Sequence, residues 1–177
     1  MAFEDWIRTY LAGSAYKKTF ANLELDGTER VLELGCGGGQ SARVLLRRLD
    51  RGHLTAIDVD EWWADRARRN LRRYDNVDIL LGDVRDLPLE EGSFDLAVVH
   101  LVIHDIAKAE RRPIIEALAG KLRKGGRLFI KEPTREPHGM PEAELWALLT
   151  GSGLQETARV ESRSIFMGPL IEGHFSK

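Results

Sequence analysis

Cysteine is nearly absent from this chain. Cys36 is the only one in 177 residues. An intrachain disulfide is therefore impossible, and a structural zinc site built on several cysteines is excluded. Such cysteine usage suits a reducing, cytoplasmic setting. A strong charge of one sign is also missing. Lys and Arg number 26 against 28 Asp and Glu, a net charge of −2, which gives no global pull toward nucleic acid. No apolar run is long enough to span a bilayer. The start, Met1-Ala2-Phe3-Glu4-Asp5-Trp6, lacks the basic and then apolar pattern of a signal peptide. Repeats, low-complexity tracts and linkers are absent. With 43% hydrophobic and 31% charged residues, the expectation is one globular domain over residues 1–177.

What is present alternates. Trp6, Ile7, Tyr10 and Leu11 recur at helical spacing, so residues 1–25 are expected to form a helical cap, broken at Gly13-Ser14. Strands are then expected at Val31–Leu34, His53–Ile57, Val77–Leu81, Phe94–Val99 and Leu128–Ile130. Helices are expected at Gln40–Leu49, Glu61–Tyr74, Ala107–Leu122 and Glu142–Leu149, with Gly125-Gly126 ending the third and Pro141 opening the fourth. Residues Gln155 to Phe175 alternate as two strands. Strands alternating with helices imply an α/β fold with a doubly wound, mostly parallel sheet. Ligands bind beyond the carboxyl ends of the strands in such sheets.

Two arginine clusters fall on expected helices: Arg43, Arg47, Arg48 and Arg51, then Arg66, Arg68, Arg69, Arg72 and Arg73. They read as two solvated helix faces or as a basic patch for RNA or phosphate.

The first strand runs into Glu33-Leu34-Gly35-Cys36-Gly37-Gly38-Gly39. Glycines let the chain turn sharply and let a ligand approach the main chain. A dinucleotide frame exists, Gly37-x-Gly39-x-x-Ala42. It begins late and leaves the carboxylate of Glu33 at the strand end, which is unfavourable near a pyrophosphate. The same carboxylate favours a cationic ligand. Asp58 follows Glu33 by 25 residues, one helix-and-strand unit on. A carboxylate there accepts hydrogen bonds from both hydroxyls of a ribose. Asp60 is read as the cap of the following helix.

Val31-Leu32-Glu33-Leu34-Gly35-Cys36-Gly37-Gly38-Gly39 resembles the first motif of class I S-adenosylmethionine-dependent methyltransferases. The stretches Leu81-Gly82-Asp83-Val84, Leu87-Pro88, Gly92-Ser93-Phe94-Asp95 and Lys124-Gly125-Gly126-Arg127-Leu128 match that family as well. The resemblance covers residues 28–132 well. It implies a Rossmann-like seven-stranded sheet with an antiparallel last strand, and S-adenosyl-L-methionine as cofactor. It implies that Glu33, Gly35, Cys36 and Gly37 hold the methionine end and that Asp58 holds the ribose. Val59 then lies against the adenine, Asp83 accepts the adenine amino group, Val84 offers its backbone N–H, and His100 lines the pocket. Cys36 is expected to pack rather than react, and Trp62 to add to the adenine wall or to be a core or surface residue.

Methyl transfer from a sulfonium is an in-line displacement, for which alignment and exclusion of water supply much of the rate. A general base is needed only when the nucleophile arrives protonated. His100 and His104, in Val99-His100-Leu101-Val102-Ile103-His104-Asp105, are the candidates for it. Their spacing of four suits a shared helical face. Pocket lining is the alternative role. No spacing of histidines, His138 and His174 included, suggests a metal site.

The family's Asn/Asp-Pro-Pro-Tyr/Phe motif is absent after the fourth strand, and no cysteine is placed for pyrimidine C5 chemistry. The expected partner is a small-molecule methyl acceptor with an O, N, S or C nucleophile. RNA or protein acceptors, a non-catalytic S-adenosylmethionine-binding protein and a nucleotide-dependent oxidoreductase are the alternatives. Residues 132–141 and the N-terminal helices are the expected cover. A lid this short leaves the site open, or leaves closure to a second copy in a homodimer.

Overall fold

The computed structural model describes residues 16–21, 23–135, 137, 139–165 and 167–177. Most of the expected N-terminal cap, including Trp6, Ile7, Tyr10 and Leu11, lies outside these residues, as does His138. The chain divides into two compact units, one ending at Gly82 and the other starting at Asp83.

The first unit is built on three parallel strands in the order β3-β2-β1: β1 (Arg30–Leu34), β2 (His53–Asp58) and β3 (Val77–Leu81). Apolar side chains cover both faces of β1 and β2, the pattern of a strand buried between helices. The intervening helices are α1 (Gln40–Leu46) and α2 (Glu61–Leu71). Asp60 caps α2, its side chain accepting the Trp63 N–H at 3.2 Å, as its place before the helix suggested. Leu32, Leu45, Leu54, Ile57 and Leu71 form the core. Burying each contributes roughly 1.5–3 kcal/mol.

The second unit holds β4 (Phe94–His100), β5 (Leu122–Pro133), β6 (Gln155–Ser164) and β7 (Gly168–Ser176), in the order β4-β5-β7-β6. β4 and β5 are parallel, whereas β7 runs antiparallel to both β5 and β6. A 3₁₀ turn (Ile103–Asp105) follows β4. Helices α3 (Lys108–Lys121) and α4 (Glu142–Gly151) complete the unit. β6 is exposed along nearly its whole length. It carries Glu156, Arg159, Glu161 and Arg163, charges that discourage pairing at a sheet edge. Seven strands, mostly parallel with antiparallel pairing at the end, match the expected α/β class. Among the described residues no helix is long and apolar enough to cross a membrane.

Three expectations need correction. Helix α3 is not ended by Gly125-Gly126. It stops at Lys121, and Leu122 is already extended and paired with Phe94. The two glycines lie inside β5, where the register with β4 shifts and Lys177 exchanges backbone hydrogen bonds with them. Helices α1 and α2 each end three residues earlier than periodicity suggested, at Leu46 and Leu71. His100 and His104 share no helical face. His100 ends β4, and Leu101 takes φ +61°, which breaks any helical path between them.

Candidate cofactor and acceptor site

Local geometry in the first unit follows from the strand ends. The Gly35 and Cys36 N–H groups both donate to the Ile57 carbonyl, at 2.9 and 3.0 Å. This pins the glycine loop to the carboxyl end of β2. Gly37 N–H then donates to Asp58 Oδ2 at 2.8 Å, and Asp60 N–H to Asp58 Oδ1 at 3.1 Å. One carboxylate thus orders the loop after β1 and the turn after β2. Gly39 has φ +77°, and a Cβ there would meet Leu71 Cδ1 at 2.9 Å. Only glycine lets the loop lie this close to α2. A Cβ on Gly37 would meet nothing within 4 Å, so the main chain there faces open space that a ligand can enter.

Glu33 is fully buried at the end of β1. Neither carboxylate oxygen has a hydrogen-bond partner among the described residues. Burial pushes its carboxyl up to about 7. The Ser41 hydroxyl is near enough to oppose this in part without completing a bond, and the charge of Asp58 adds to the rise. An unpaired buried carboxylate is costly unless a cation or donor reaches it. Cys36 is buried and unpaired with any other cysteine. Burial first, then the charges of Glu33 and Asp58, push its thiol far up, so it has little thiolate with which to react. Val59 is 73% exposed directly after β2, and Trp62 is 56% exposed. Trp62 is therefore no core residue. It meets Trp63 edge-on, and the Arg66 guanidinium lies over its ring.

In the second unit, Asp83 is clamped by Arg85. Its Oδ1 accepts the Arg85 backbone N–H and Nε, and its Oδ2 accepts a terminal guanidinium nitrogen at 2.7 Å. These bonds hold its carboxyl below the ordinary range. A carboxylate offers about four lone-pair sites, so one remains for a further donor. Arg85 is fixed in turn by Glu110 at 2.6 Å. Val84 is buried beside it.

The turn after β4 hangs on Glu132, at the end of β5. Its carboxylate is completely buried. It accepts N–H bonds from Val102 and Ile103, each 2.8 Å, and approaches His104 Nδ1 at 2.6 Å. A carboxylate on Nδ1 makes that nitrogen the proton carrier. Glu132 raises the His104 pKa, and burial opposes it. Arg111 ties the same turn by donating to the His104 and Ile106 carbonyls. His100 behaves in the opposite way. Burial, followed by the Lys131 charge, pushes it down to about 4, with Glu172 opposing.

Of the expected residues, Glu33, Gly35, Cys36, Gly37, Asp58 and Val59 come together around the first unit's strand ends. Asp83 and Val84 open the second unit, and His100 and His104 lie at the end of β4 and in the turn after it. Sequence reasoning placed Glu132 only in the expected cover, whereas it lies in β5; it gave Lys131 no role and missed Glu172, Arg85 and Arg111. One signal was available: Lys131 and Glu132 are ionisable residues continuing the apolar run Leu128-Phe129-Ile130. Among the described residues no group of three or more His, Cys, Asp or Glu side chains is arranged to hold a metal.

A family model described as "Methyltransferase domain" matches residues 31–126. Protein-L-isoaspartate O-methyltransferase of Nitrobacter winogradskyi is 38% identical over 130 residues, covering 70% of this chain and 58% of that protein. The chain spans about half the length of the curated relatives it matches. Among solved structures, the [4+2]-cyclase SpnF superposes with a TM-score of 0.80 at 18% identity, covering 93% of this chain and 81% of that one. N-methyltransferase NodS from Bradyrhizobium japonicum WM9, in complex with S-adenosyl-L-homocysteine, gives a TM-score of 0.74 at 20% identity, covering 93% and 85%. At these identities the structures speak for the fold alone. The family model does more. It covers over half of the chain and includes the glycine loop, Asp58, Asp83 and the turn after β4. The chain therefore belongs to the class I S-adenosylmethionine-dependent methyltransferases.

Proposed function

We propose that this chain, as a single S-adenosylmethionine-binding domain acting in the cytoplasm, transfers the cofactor's methyl group to an O, N, S or C nucleophile on a small molecule. The observation that carries this reading is Glu33, a buried carboxylate whose two oxygens find no partner among the described residues. It stands beside a loop whose main chain is open at Gly37. A cationic amino acid moiety satisfies such a group, whereas a pyrophosphate is repelled by it.

Glu33 and the Gly35–Gly37 main chain would hold the methionine end, with Cys36 packing beneath. Asp58 would accept the ribose hydroxyls while still ordering the loop. Val59, exposed and apolar, offers a surface for the adenine, and Asp83 has one acceptor site for the ring's amino group beside Val84. When bound, S-adenosylmethionine supplies a methyl group already activated on a sulfonium. The chain's own work is then to align the acceptor, exclude water and move a proton where the acceptor carries one. His100 and His104 are the residues for that last task. Where neither is needed, their conversion to Gln leaves turnover intact.

Calorimetry tests the reading directly. The wild-type protein should bind S-adenosylmethionine and S-adenosylhomocysteine but not NADH, and Asp58→Ala should lose both ligands. A folded protein that binds neither would overturn it. One observation favours a second reading, RNA as acceptor. Arg66, Arg68, Arg69, Arg72 and Arg73 are all exposed on or just after α2, with Trp62 and Trp63 nearby. RNA binding that weakens steeply with salt would support it. Binding absent at low salt would remove it.

A further inference from the structure

A row of polar side chains crosses the second unit's sheet near the carboxyl ends of β4 and β5. The register pairs His100 with Lys131 and Lys131 with Glu172, so all three lie on one face of three adjacent strands. His174, two residues on from Glu172, shares that face and meets Phe129 edge-on. Lys131 Nζ donates to Glu172 Oε2 at 3.1 Å, and His174 Nε2 lies 3.1 Å from Glu172 Oε1. The charged pair is nearly buried, its side chains 11% and 6% exposed.

Folding alone gives no reason for this pair. Taking each ion out of water costs several kcal/mol, and apolar residues of similar size commonly serve a core as well or better. Ionisable groups held at such cost gather at functional sites, and strand carboxyl ends are where this class of sheet takes its ligands. A second observation marks the same place. Leu101, directly after His100, is held at φ +61°, a conformation costing a non-glycine residue roughly 1–2 kcal/mol. The Leu101 N–H donates to the Lys131 carbonyl at 2.8 Å, and Glu132 holds the next two amides. Backbone strain maintained by its surroundings is a further sign of a working site.

The chemistry of the row narrows what it receives. It sets an imidazole beside an ammonium that is itself fixed by a carboxylate. An ammonium carries three donors, of which Glu172 takes one. A cationic amine is repelled here. A carboxylate arrives already ionised and needs no base. A hydroxyl acidic enough to give up its proton to imidazole, and whose anion accepts strong hydrogen bonds, suits both groups. We propose that His100, Lys131 and Glu172 form the methyl-acceptor subsite, built for a phenol or enol hydroxyl. This rests on the methyl-transfer reading above. In the step, the acceptor's O–H bond breaks as an N–H bond forms on His100, whose basicity, low while the site is empty, is raised by the adjoining oxyanion that Lys131 faces. The freed oxygen pair forms the bond to the methyl carbon. The carbon–sulfur bond breaks with its pair going to sulfur, leaving a neutral thioether, and His100 then releases its proton to water.

The test uses the full chain saturated with S-adenosylhomocysteine and 4-nitrophenol as probe, because its phenolate absorbs differently from its phenol. 4-Nitroanisole, which has no proton to lose, is the control. The wild-type protein should bind the probe as phenolate at a pH where the free probe is mostly neutral, and bind the ether about tenfold more weakly or worse. Lys131→Met combined with Glu172→Leu removes both charges without leaving either unpaired. That variant and His100→Gln should each lose the phenolate band, and the charge-free double variant should keep S-adenosylhomocysteine affinity. Lys131→Arg should retain the band, and it serves as the informative variant if the double substitution does not fold. The proposal is overturned if the probe fails to bind, if it binds only as neutral phenol, or if the charge-free variant keeps the band. Failure of the wild-type protein to bind S-adenosylhomocysteine would instead refute the methyl-transfer reading itself.

Discussion

Glu33→Gln should abolish the pH dependence that the wild-type carboxyl imposes on folding. The wild-type carboxyl is pushed from its ordinary 4.5 to about 7 by burial. The unfolded chain releases this proton near 4.5, while the folded protein keeps it until about 7. A raised carboxyl therefore leaves stability intact below the unfolded value, and stability is lost as pH rises through the folded one. Across the window the loss is about 3 kcal/mol, which lowers Tm by roughly 6–12 °C for a chain of this size. Glutamine has no proton to lose. It carries its own cost as a buried amide, about 1–3 kcal/mol, but that cost is the same at every pH. The stability difference between variant and wild type should thus move about 3 kcal/mol in the variant's favour between pH 4.5 and 7.5. Guanidinium unfolding of the cofactor-free protein at several pH values measures it. Saturating S-adenosylmethionine should offset the effect by placing a cation on the carboxylate, so the wild type should gain more from the ligand at pH 7.5 than at 4.5. Parallel stability curves for the two proteins would refute the reasoning.

Asp58→Ala removes the acceptor for the Gly37 and Asp60 amides and the group proposed to bind ribose. Two bonds of roughly 1.5–3 kcal/mol each predict at least a 100-fold loss of cofactor affinity, roughly 3 kcal/mol, with the far-ultraviolet spectrum unchanged. Glu132→Ala leaves the Val102 and Ile103 amides without their acceptor and should cost about 3 kcal/mol or more in a urea titration; a loss under about 1 kcal/mol would show that the turn after β4 does not depend on it. Because Glu132 raises the His104 pKa, the pair's contribution is complete below 6.5 and fades as pH rises through the raised value. Glu132→Gln should flatten that slope. Cys36, buried and with its thiol pushed far up, should react with a thiol reagent only on unfolding; rapid labelling of the native protein would contradict its packing role.

The proposed cofactor end of this protein was legible because its requirements are local. A glycine where the loop lies against Leu71, an acid ending β1 and another ending β2 each follow from backbone geometry within a few residues. The fold class was legible for the same reason, since strand and helix periods alternate along the chain. Errors arose where one local signal serves two structures. Gly125-Gly126 suits a helix terminus and a strand irregularity equally, and only the pairing of Leu122 with Phe94 decides between them. The spacing of His100 and His104 suits a helix face, but nothing in a leucine announces a left-handed backbone. The proposed acceptor end was least legible because it is written in distant pairs. Glu132 reaches His104 across 28 residues, and Lys131 reaches Glu172 across 41. Such contacts depend on which strands become neighbours, and no period or motif encodes that. They still left a trace. Lys131 and Glu132 continue the apolar run Leu128-Phe129-Ile130 within β5, and alternation along that strand sends them to opposite faces. One face then takes the charge that orders the turn, and the other takes the charge proposed to meet the acceptor. Two consecutive ionisable residues directly after an apolar run are therefore informative as sequence, because neither face of this buried part of the strand offers water to solvate them.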